Sequence, residues 1–279
     1  MHCYLSVIII KTGNSKYIKN GGQFVQCFYG IIQEWGIIMA KTVRRGYVPG
    51  DEKEFGKKAL EKINAAANDI YYLLNRGYNM KSASVFTGNH YMLSERQRLA
   101  LARMVSQEKQ LNIRNAKCRT VLDKGETVFI DGFNTIITLE IALSGTTLLK
   151  CMDGTVRDLA GLRGTYSLID KTPEAIQLIG KELEGMEISK AVFYMDAPVS
   201  NTGRLAACIH EELAMYPFEV ETEVVNNVDF ILSGLSNVIT GDAIILDKCT
   251  SWINFTRSII DKEFPGYPYV ELDGFWSGL

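Results

Sequence analysis

Apolar residues recur at helical spacing in the segment that follows residue 50. Between Asp51 and Gly77 the spacing is compatible with 3.6 residues per turn in an Ala-rich stretch. The apolar positions are Phe55, Leu60, Ile63, Ile70, Leu73 and Leu74. A second helix is predicted in KSASVFTG, and a third follows Ser94, which has Gln97 at capping-box spacing. The pattern predicts a small all-α module over about residues 51–116.

After Lys117 the pattern changes to short apolar runs that alternate with helical segments. Strands are predicted in TVFID, KAVFYMDAP, FEVETEVV and NVIT, and a hairpin in TLLKCMDGTVRDL turns at Asp153-Gly154. Helices are predicted in TPEAIQLIGKELEG, with Thr172 as N-cap, in NTGRLAACIHEELAMY, and in TSWINFTRSIIDKEF, with Thr250 as N-cap. The alternation predicts an α/β fold, a mostly parallel sheet with helices on both faces, preceded by the all-α module.

The first 40 residues differ from the rest of the chain. KTGNSKYIKNGGQF is a turn-rich polar segment between short apolar runs, without a sustained period. The stretch that begins at Met39, MAKTVRRGYVPGDEKEF, is typical of a cytoplasmic N-terminus. We therefore interpret residues 1–40 as an atypical extension that is not native, and we expect the native start at Met39.

The charges divide the remaining chain into a basic and an acidic part. Residues 41–119 carry 16 Lys/Arg and 7 Asp/Glu, whereas residues 120–279 carry 11 and 24. A basic module suits polyanions and an acidic one suits divalent cations, although the two parts could also attract each other. We interpret residues 41–119 as a basic helical domain and residues 120–279 as an acidic α/β domain.

The composition argues against membrane, disulfide and zinc proteins. No apolar run approaches the roughly 20 residues that cross a bilayer, and LSVIII has no basic residue before it, so a secretory signal is not expected. The six cysteines form no CxxC pair, and three histidines do not suggest a His-rich metal site. We expect a reduced cytoplasmic protein with no membrane partner.

Carboxylates follow several predicted strands. Asp131 closes TVFID, Asp196 closes VFYMD, Asp242 follows NVITG, and Asp229 lies just beyond FEVETEVVNN. In an open α/β sheet, ligands bind outside the carboxyl ends of the parallel strands. Neighbouring carboxylates there would repel each other, and a hard cation such as Mg²⁺ or Mn²⁺ removes that cost. Asp131, Asp196 and Asp242 are therefore the candidate metal ligands, and Asn134, in TVFIDGFN, can orient a water or a phosphate.

Basic residues and a helix start supply candidates for substrate binding. Arg157 and Arg163, in DGTVRDLAGLRG, could clamp a phosphate, or Arg157 could pair locally with an aspartate. Ser200 opens a helix after Asp196, as an anion site or as an ordinary N-cap. Arg96 and Arg98 belong to a basic set interleaved with aromatic residues, which suits stacking on single-stranded RNA unless the aromatic residues are core. The further members of that set are Tyr71, Tyr72, Arg76, Tyr78, Lys81 and Tyr91.

Two of these segments resemble motifs of the PIN-like and NYN ribonuclease superfamily. VFIDGFN is similar to its first motif, a strand that ends in Asp with Asn three residues later, and VITGDAIIL is similar to its later strand followed by Thr/Ser-Gly-Asp. The resemblance implies a PIN-like, Rossmann-like domain with metal-dependent nuclease chemistry. In that superfamily a second Asp usually stands two residues after the Asp of the later motif, where this chain has Ile244. The acidic residue of the helix after the first motif is expected at Glu140.

From about Val43 to Phe264 the chain also resembles an uncharacterised prokaryotic family, domain-of-unknown-function family 434. In that family a short helical domain, here LLNRGYNMKSASVFTGNHYMLSERQRLALAR, precedes an α/β domain. DGFNTIITLEIALSGTTLLKCMDGTVRDLAGLRGTY and FYMDAPVSNTG are similar to the family's most recognisable segments. This resemblance implies the order of the domains and no particular activity.

Together these features predict a Mg²⁺- or Mn²⁺-dependent nuclease that hydrolyses RNA, with the basic module positioning the nucleic acid. The alternative is a non-catalytic nucleic-acid-binding or regulatory protein. In that case KSASVFTGNHYMLSERQRLALARM is a helix-turn-helix-like unit, and the α/β half only binds a ligand or forms a homodimer. Ile244 favours the alternative. A small-molecule phosphohydrolase is less well supported, because Asp131 is not followed by a DxD spacing.

Overall fold

The computed structural model describes residues 9–12, 15–20, 23–26, 43–161 and 164–274. The chain divides into two compact units, Met1–Thr42 and Val43–Leu279. In the first unit, β1 (Ile9–Thr12), β2 (Ser15–Asn20) and β3 (Gln23–Gln26) form an antiparallel sheet. Met39 lies outside the described residues, so the native start stays a prediction.

The second unit begins with a module of five helices. They are α1 (Asp51–Glu54), α2 (Lys57–Asn75), α3 (Met80–His90), α4 (Glu95–Met104) and α5 (Glu108–Lys117). The predicted capping box of α4 is present, because the Ser94 and Gln97 side chains each accept a hydrogen bond from the other residue's backbone N–H. The predicted all-α module is therefore confirmed.

The α/β part follows the module and contains a five-stranded parallel sheet. Its strands are β4 (Thr127–Asp131), β7 (Lys190–Asp196), β8 (Glu219–Val225), β9 (Val238–Ile239) and β10 (Trp252–Ile253), in the order β10-β9-β4-β7-β8. A separate hairpin pairs β5 (Leu148–Lys150) with β6 (Val156–Asp158). The helices are α6 (Gly132–Leu143), α7 (Thr172–Gly185), α8 (Thr202–Leu213), α9 (Val228–Leu232), α10 (Ala243–Lys248) and α11 (Phe255–Glu263).

Helices cover both faces of this sheet because successive strand residues point to opposite sides. Val128 and Ile130 belong to the larger core, which α6, α7, α8 and α11 close. Phe129, between them, packs with the smaller core that α9 and α10 provide. The predicted α/β class is confirmed. Among the described helices, none is both long and apolar enough to cross a bilayer.

Two predicted helix starts are wrong. TSWINFTRSIIDKEF does not form one helix capped by Thr250, since Trp252–Ile253 is the fifth strand and α11 begins at Phe255 after Asn254. The apolar spacing of this run is compatible with a helix. Trp252 instead pairs with β9, and its indole N–H donates to the Arg114 carbonyl at 2.7 Å. Thr172 is the first residue of α7 and not its N-cap, because its hydroxyl accepts the Ile169 N–H.

A buried charge cluster joins the helical module to the hairpin. Asp153, in the hairpin turn, pairs with Arg114 of α5 at 2.7 Å and with Arg157 of β6, and all three side chains are at most 8% exposed. Although burial disfavours the ionised form of Asp153, Arg157 and Arg114 hold its pKa below the usual value. The hairpin residues Leu149, Cys151, Met152 and Leu159 share an apolar core with the helices. The module and the hairpin are therefore joined by both packing and charge.

We predict that Asp153→Asn destabilises the protein by about 3–5 kcal/mol, because it removes the counter-charge of the buried Arg157 and leaves the buried Arg114 with Asp247 alone. Urea unfolding followed by circular dichroism measures the loss. Asp123→Asn is the matched control, since the Asp123 side chain is 94% exposed and its loss should change stability by less than about 0.5 kcal/mol. An Asp153→Asn protein as stable as this control would contradict the role of the cluster.

Candidate functional site

The strand order places a crevice at the carboxyl end of β4. The chain passes from β4 to β7 and β8 on one side and then returns to β9 and β10 on the other side of β4. Ligands of doubly wound sheets bind where the strand order reverses in this way. A cavity of about 430 Å³ lies at this point, hereafter the acidic cleft.

The acidic cleft gathers most of the predicted site residues. Its lining includes the three predicted metal ligands, Asn134 and Arg157, and it adds several polar residues from other elements. The lining residues that carry the chemistry are Arg103, Ser106, Asp131, Asn134, Arg157, Asp158, Asp196, Asp229 and Asp242. The helical module contributes Arg103 and Ser106, so the cleft lies between this module and the sheet. The structure brings the carboxylates together, and their chemical roles stay predictions.

Asp131 is fixed by two local interactions at the end of β4. One carboxylate oxygen caps α6 by accepting the Asn134 N–H at 3.4 Å, and the other accepts the Thr240 hydroxyl at 2.8 Å. Thr240 reaches Asp131 because the parallel register sets Ile130 of β4 opposite Ile239 of β9. The end of β4 is thereby joined to the end of β9.

Asn134 and two glycines complete this junction. The Asn134 side-chain oxygen accepts the Gly241 N–H at 2.8 Å. A Cβ at Gly241 would lie 3.1 Å from that oxygen, and a Cβ at Gly132 would lie 3.1 Å from the Tyr194 carbonyl. Both glycines are therefore favoured by the close approach of neighbouring chain segments. Gly132 makes room for β7.

Besides Asp131 and Asp158, three aspartates line the cleft, and they come from three different elements. Asp196 ends β7, Asp242 caps α10 by accepting the Ile244 N–H at 2.7 Å, and Asp229 lies in α9. Burial and the Asp242 and Asp196 carboxylates raise the pKa of Asp229, against the opposing charge of Lys248. Asp229 therefore senses the negative charge of both neighbours, as expected for crowded carboxylates.

The Asp131 carboxyl is strongly perturbed by its surroundings. Burial, reinforced by the Asp242 and Asp229 carboxylates, raises its pKa to about 7 in spite of the Thr240 hydrogen bond, which lowers it. The Asp131 residue is only 9% exposed. A buried carboxyl among like charges is a common feature of functional sites, and it favours either a proton or a cation.

Asp158 adds an unsatisfied acceptor to the wall of the cleft. Within the part of the chain that the structure describes, its Oδ1 atom is buried and has no hydrogen-bond partner. The nearest cation is Arg103, whose Nη1 atom lies 3.5 Å from Oδ1 and donates to the Asp158 carbonyl. A buried acceptor without a partner costs about 1–3 kcal/mol, which a bound donor or cation would relieve.

The residues predicted to bind substrate are distributed differently. Arg157 lines the cleft, but its N–H groups donate to the Gly241 and Arg103 carbonyls and to Asp153, which is the local pairing that the sequence left open. Ser200 bonds the backbone of Tyr166 and does not line the cleft. Arg163 lies outside the described residues.

Arg96 and Arg98 are both engaged within the helical module. Arg96 forms a bidentate ion pair with Asp51. Arg98 donates to the Leu93 carbonyl and to the Asn89 side chain. Neither residue lines the acidic cleft. Arg76 and Lys81 are exposed basic residues of this module. The exposed aromatic residues near them in the sequence are Tyr72 and Tyr78.

Glu140 does not belong to the cleft. It is fully buried on α6, pairs with Arg45 at 2.7 Å and accepts the hydroxyl groups of Tyr166 and Thr172. This network satisfies the carboxylate locally. Arg103 and Asp158 line the cleft instead, and no local sequence pattern indicated that the end of α4 would lie there.

The carboxylate oxygens of the acidic cleft suit a hard cation, but their spacing limits how many of them can bind one ion directly. In the described ranges, no three His, Cys, Asp or Glu side chains are close enough to form a ready-made metal site. Mg²⁺ keeps several of its waters and commonly uses only one or two carboxylates of the protein. The residues therefore fit a cation held by one or two aspartates directly and by the others through water.

Two family models match the chain, and they meet close to the boundary between the helical and the α/β parts. "Protein of unknown function (DUF434)" matches residues 62–117, and "Domain of unknown function (DUF5616)" matches residues 120–258. The α/β part is thus matched by a family model of its own.

A curated relative extends this similarity over both parts. The chain is 37% identical over 185 residues to the "Uncharacterized protein MJ0935" of the archaeon Methanocaldococcus jannaschii. The matched region covers 66% of this chain and 88% of that protein. No solved structure matches the chain significantly. The expected family is confirmed: the chain belongs to the family of this archaeal protein, with a DUF434 segment followed by a DUF5616 segment.

Proposed function

We propose that the protein is a metal-dependent nuclease that hydrolyses phosphodiester bonds of RNA in the cytoplasm. The observation that supports this proposal best is the acidic cleft, in which five aspartates from five different parts of the fold line one cavity at the reversal point of the sheet. Phosphodiesters are anions, so an anionic cleft binds them only when a cation neutralises it. The PIN-like motifs around Asp131 and Asp242 agree with this chemistry.

In this proposal Asp131, Asp196 and Asp242 would hold Mg²⁺ or Mn²⁺, partly through water. The ion would supply a Lewis acid for the phosphoryl oxygens and would lower the pKa of a water at the site. Asp131, whose pKa is raised to about 7 in the absence of a cation, would lose its proton when it binds the ion. Asn134 holds the Gly241 backbone against the end of β4, and this fixes the position of Asp242.

Basic residues on the helical side would hold the nucleic acid. Arg103 extends from α4 to the wall of the cleft, where a guanidinium group suits a phosphate oxygen. Farther along the module, Arg76 lies 4.9 Å from the ring centroid of Tyr72, and that ring is 58% exposed. Such pairs of exposed aromatic and basic side chains suit single-stranded RNA.

The alternative function is nucleic-acid binding without catalysis. Two observations favour it, the exposed Ile244 at the position of the usual second Asp and the absence of a ready-made three-ligand metal site among the described residues. On this alternative the protein binds RNA or forms a homodimer, and Asp131 and Asp242 serve only as helix caps. Hydrolysis assays on carboxylate variants separate the two functions.

We predict that Asp131→Asn and Asp242→Asn reduce RNA hydrolysis by more than about 100-fold, because even outer-shell metal partners contribute 10- to 100-fold. The assay uses structured and single-stranded RNA with Mn²⁺. Asp123→Asn, an exposed carboxylate far from the cleft lining, should retain wild-type activity. Wild-type protein that cleaves neither RNA, or variants that cleave as fast as wild type, would support the non-catalytic alternative.

We also predict that stability depends on pH and on cations through Asp131. Its folded-state pKa of about 7 is raised, so its contribution of up to about 4 kcal/mol is fully present below the unfolded pKa near 4 and is lost as pH rises through 7. A cation binds the ionised carboxylate. Mg²⁺ should therefore raise the melting temperature at pH 8 and have little effect at pH 5, as measured by differential scanning fluorimetry.

The variants used for hydrolysis also test this pH dependence. In Asp131→Asn, the loss of stability between pH 5 and pH 8 should be smaller than in the wild type. The rise in melting temperature that Mg²⁺ causes at pH 8 should also be smaller. Asp123→Asn should behave like the wild type. An equal increment at the two pH values would show that the cation does not bind at Asp131.

A further inference from the structure

A second groove adjoins the acidic cleft and differs from it in character. It has a volume of about 720 Å³ and lies between α9 and α10, where its lining includes Phe230, Ile231, Ile244 and Lys248. Asp229 and Ile244 line both cavities. A ligand held in the acidic cleft can therefore extend directly into this groove, hereafter the α9–α10 groove.

Two large apolar side chains of the groove face solvent. Phe230 is 78% exposed and Ile244 is 53% exposed. On α9, Val228 and Leu232 lie on either side of Phe230 in the sequence; both are buried and already attach this helix to the core. An exposed phenylalanine forgoes about 1.5–3 kcal/mol of burial, so Phe230 does not serve the packing of the described fold.

The groove also carries a positive charge beside this apolar surface. Lys248 is exposed at the end of α10. Its positive charge acts to lower the pKa of Asp229, which burial and the Asp242 and Asp196 carboxylates raise. An aromatic face next to an ammonium group complements a nucleotide, which offers a flat base and a phosphate. A protein partner would need about 800 Å² of contact surface, far more than these few side chains provide.

We propose that the α9–α10 groove binds an unpaired nucleobase of the substrate, with Phe230 stacking on the base, Ile244 packing against its edge and Lys248 close to a phosphate. This inference rests on the proposed nuclease function, because the scissile phosphate would lie in the adjoining acidic cleft. A base can reach the Phe230 ring only when it is unstacked and unpaired. The groove thus selects single-stranded over duplex RNA. Ile244, at the position of the usual second Asp of the PIN-like pattern, contacts the substrate in place of that acidic residue.

Binding of two labelled strands tests the site. The probes are a ten-nucleotide oligouridine and an abasic ribose-phosphate strand of the same length, with fluorescence anisotropy as the readout and Ca²⁺ as the cation. Phe230→Ala should weaken oligouridine binding by about 5- to 150-fold, the range of one lost base–aromatic stack. Phe230→Trp should retain the affinity. The abasic strand should bind Phe230→Ala and wild type equally.

Phe86→Ala is the matched control, because Phe86 is also highly exposed, at 69%, but lies on α3 and lines neither cavity. It should bind both strands like the wild type. The site is refuted if Phe230→Ala binds oligouridine normally, if it weakens both strands equally, or if wild type binds neither strand. It is also refuted if Phe230→Ala changes only the mass of the protein in light scattering, since the groove would then be a protein interface.

The outcomes separate this site from the nuclease proposal. Hydrolysis that depends on Asp131, together with normal oligouridine binding by Phe230→Ala, rejects the nucleobase site alone. Strand-specific loss of binding in Phe230→Ala, together with no hydrolysis by any form of the protein, rejects the nuclease alone.

Discussion

The hydrogen bonds that join the ends of β4 and β9 are the constraint on which the site depends. The Thr240 hydroxyl donates to Asp131, and the Gly241 N–H donates to the Asn134 side chain, so two segments more than 100 residues apart meet at one point. The same two segments start α6 and α10, whose caps are Asp131 and Asp242. Strand pairing and helix capping together therefore force carboxylates into one cleft.

Two buried aspartates in this protein show what separates a structural carboxylate from a functional one. Asp153 lies between Arg114 and Arg157, and its pKa is lowered because both positive charges compensate for its burial. Asp131 is also buried, yet the charges around it are other carboxylates, and its pKa is raised to about 7. The first arrangement is complete within the protein. The second becomes favourable when a cation is present, which is the physical basis of the proposed function.

The sequence predicted the elements and the strand ends better than the partners of individual side chains. Alternating apolar runs with Asp at their ends were sufficient to expect Asp131, Asp196 and Asp242 at one edge, because parallel strands share a carboxyl edge. The place of Arg103 and Asp158 depends on how α4 packs against the hairpin, which no local pattern encodes. Trp252–Ile253 was misassigned because a short apolar run fits a strand and a helix equally well.

The binding of a divalent cation is the most direct test of this account. Isothermal titration calorimetry of Mn²⁺ into the intact protein at pH 7.5 should show saturable binding with proton release, because a carboxyl with a raised pKa must ionise to become a ligand. The same titration of the protein with Asn at position 131 should lose most of the heat and of the proton release. Wild-type protein that takes up no Mn²⁺ and no Mg²⁺ would contradict the account, and the cleft would then be a product of helix capping alone.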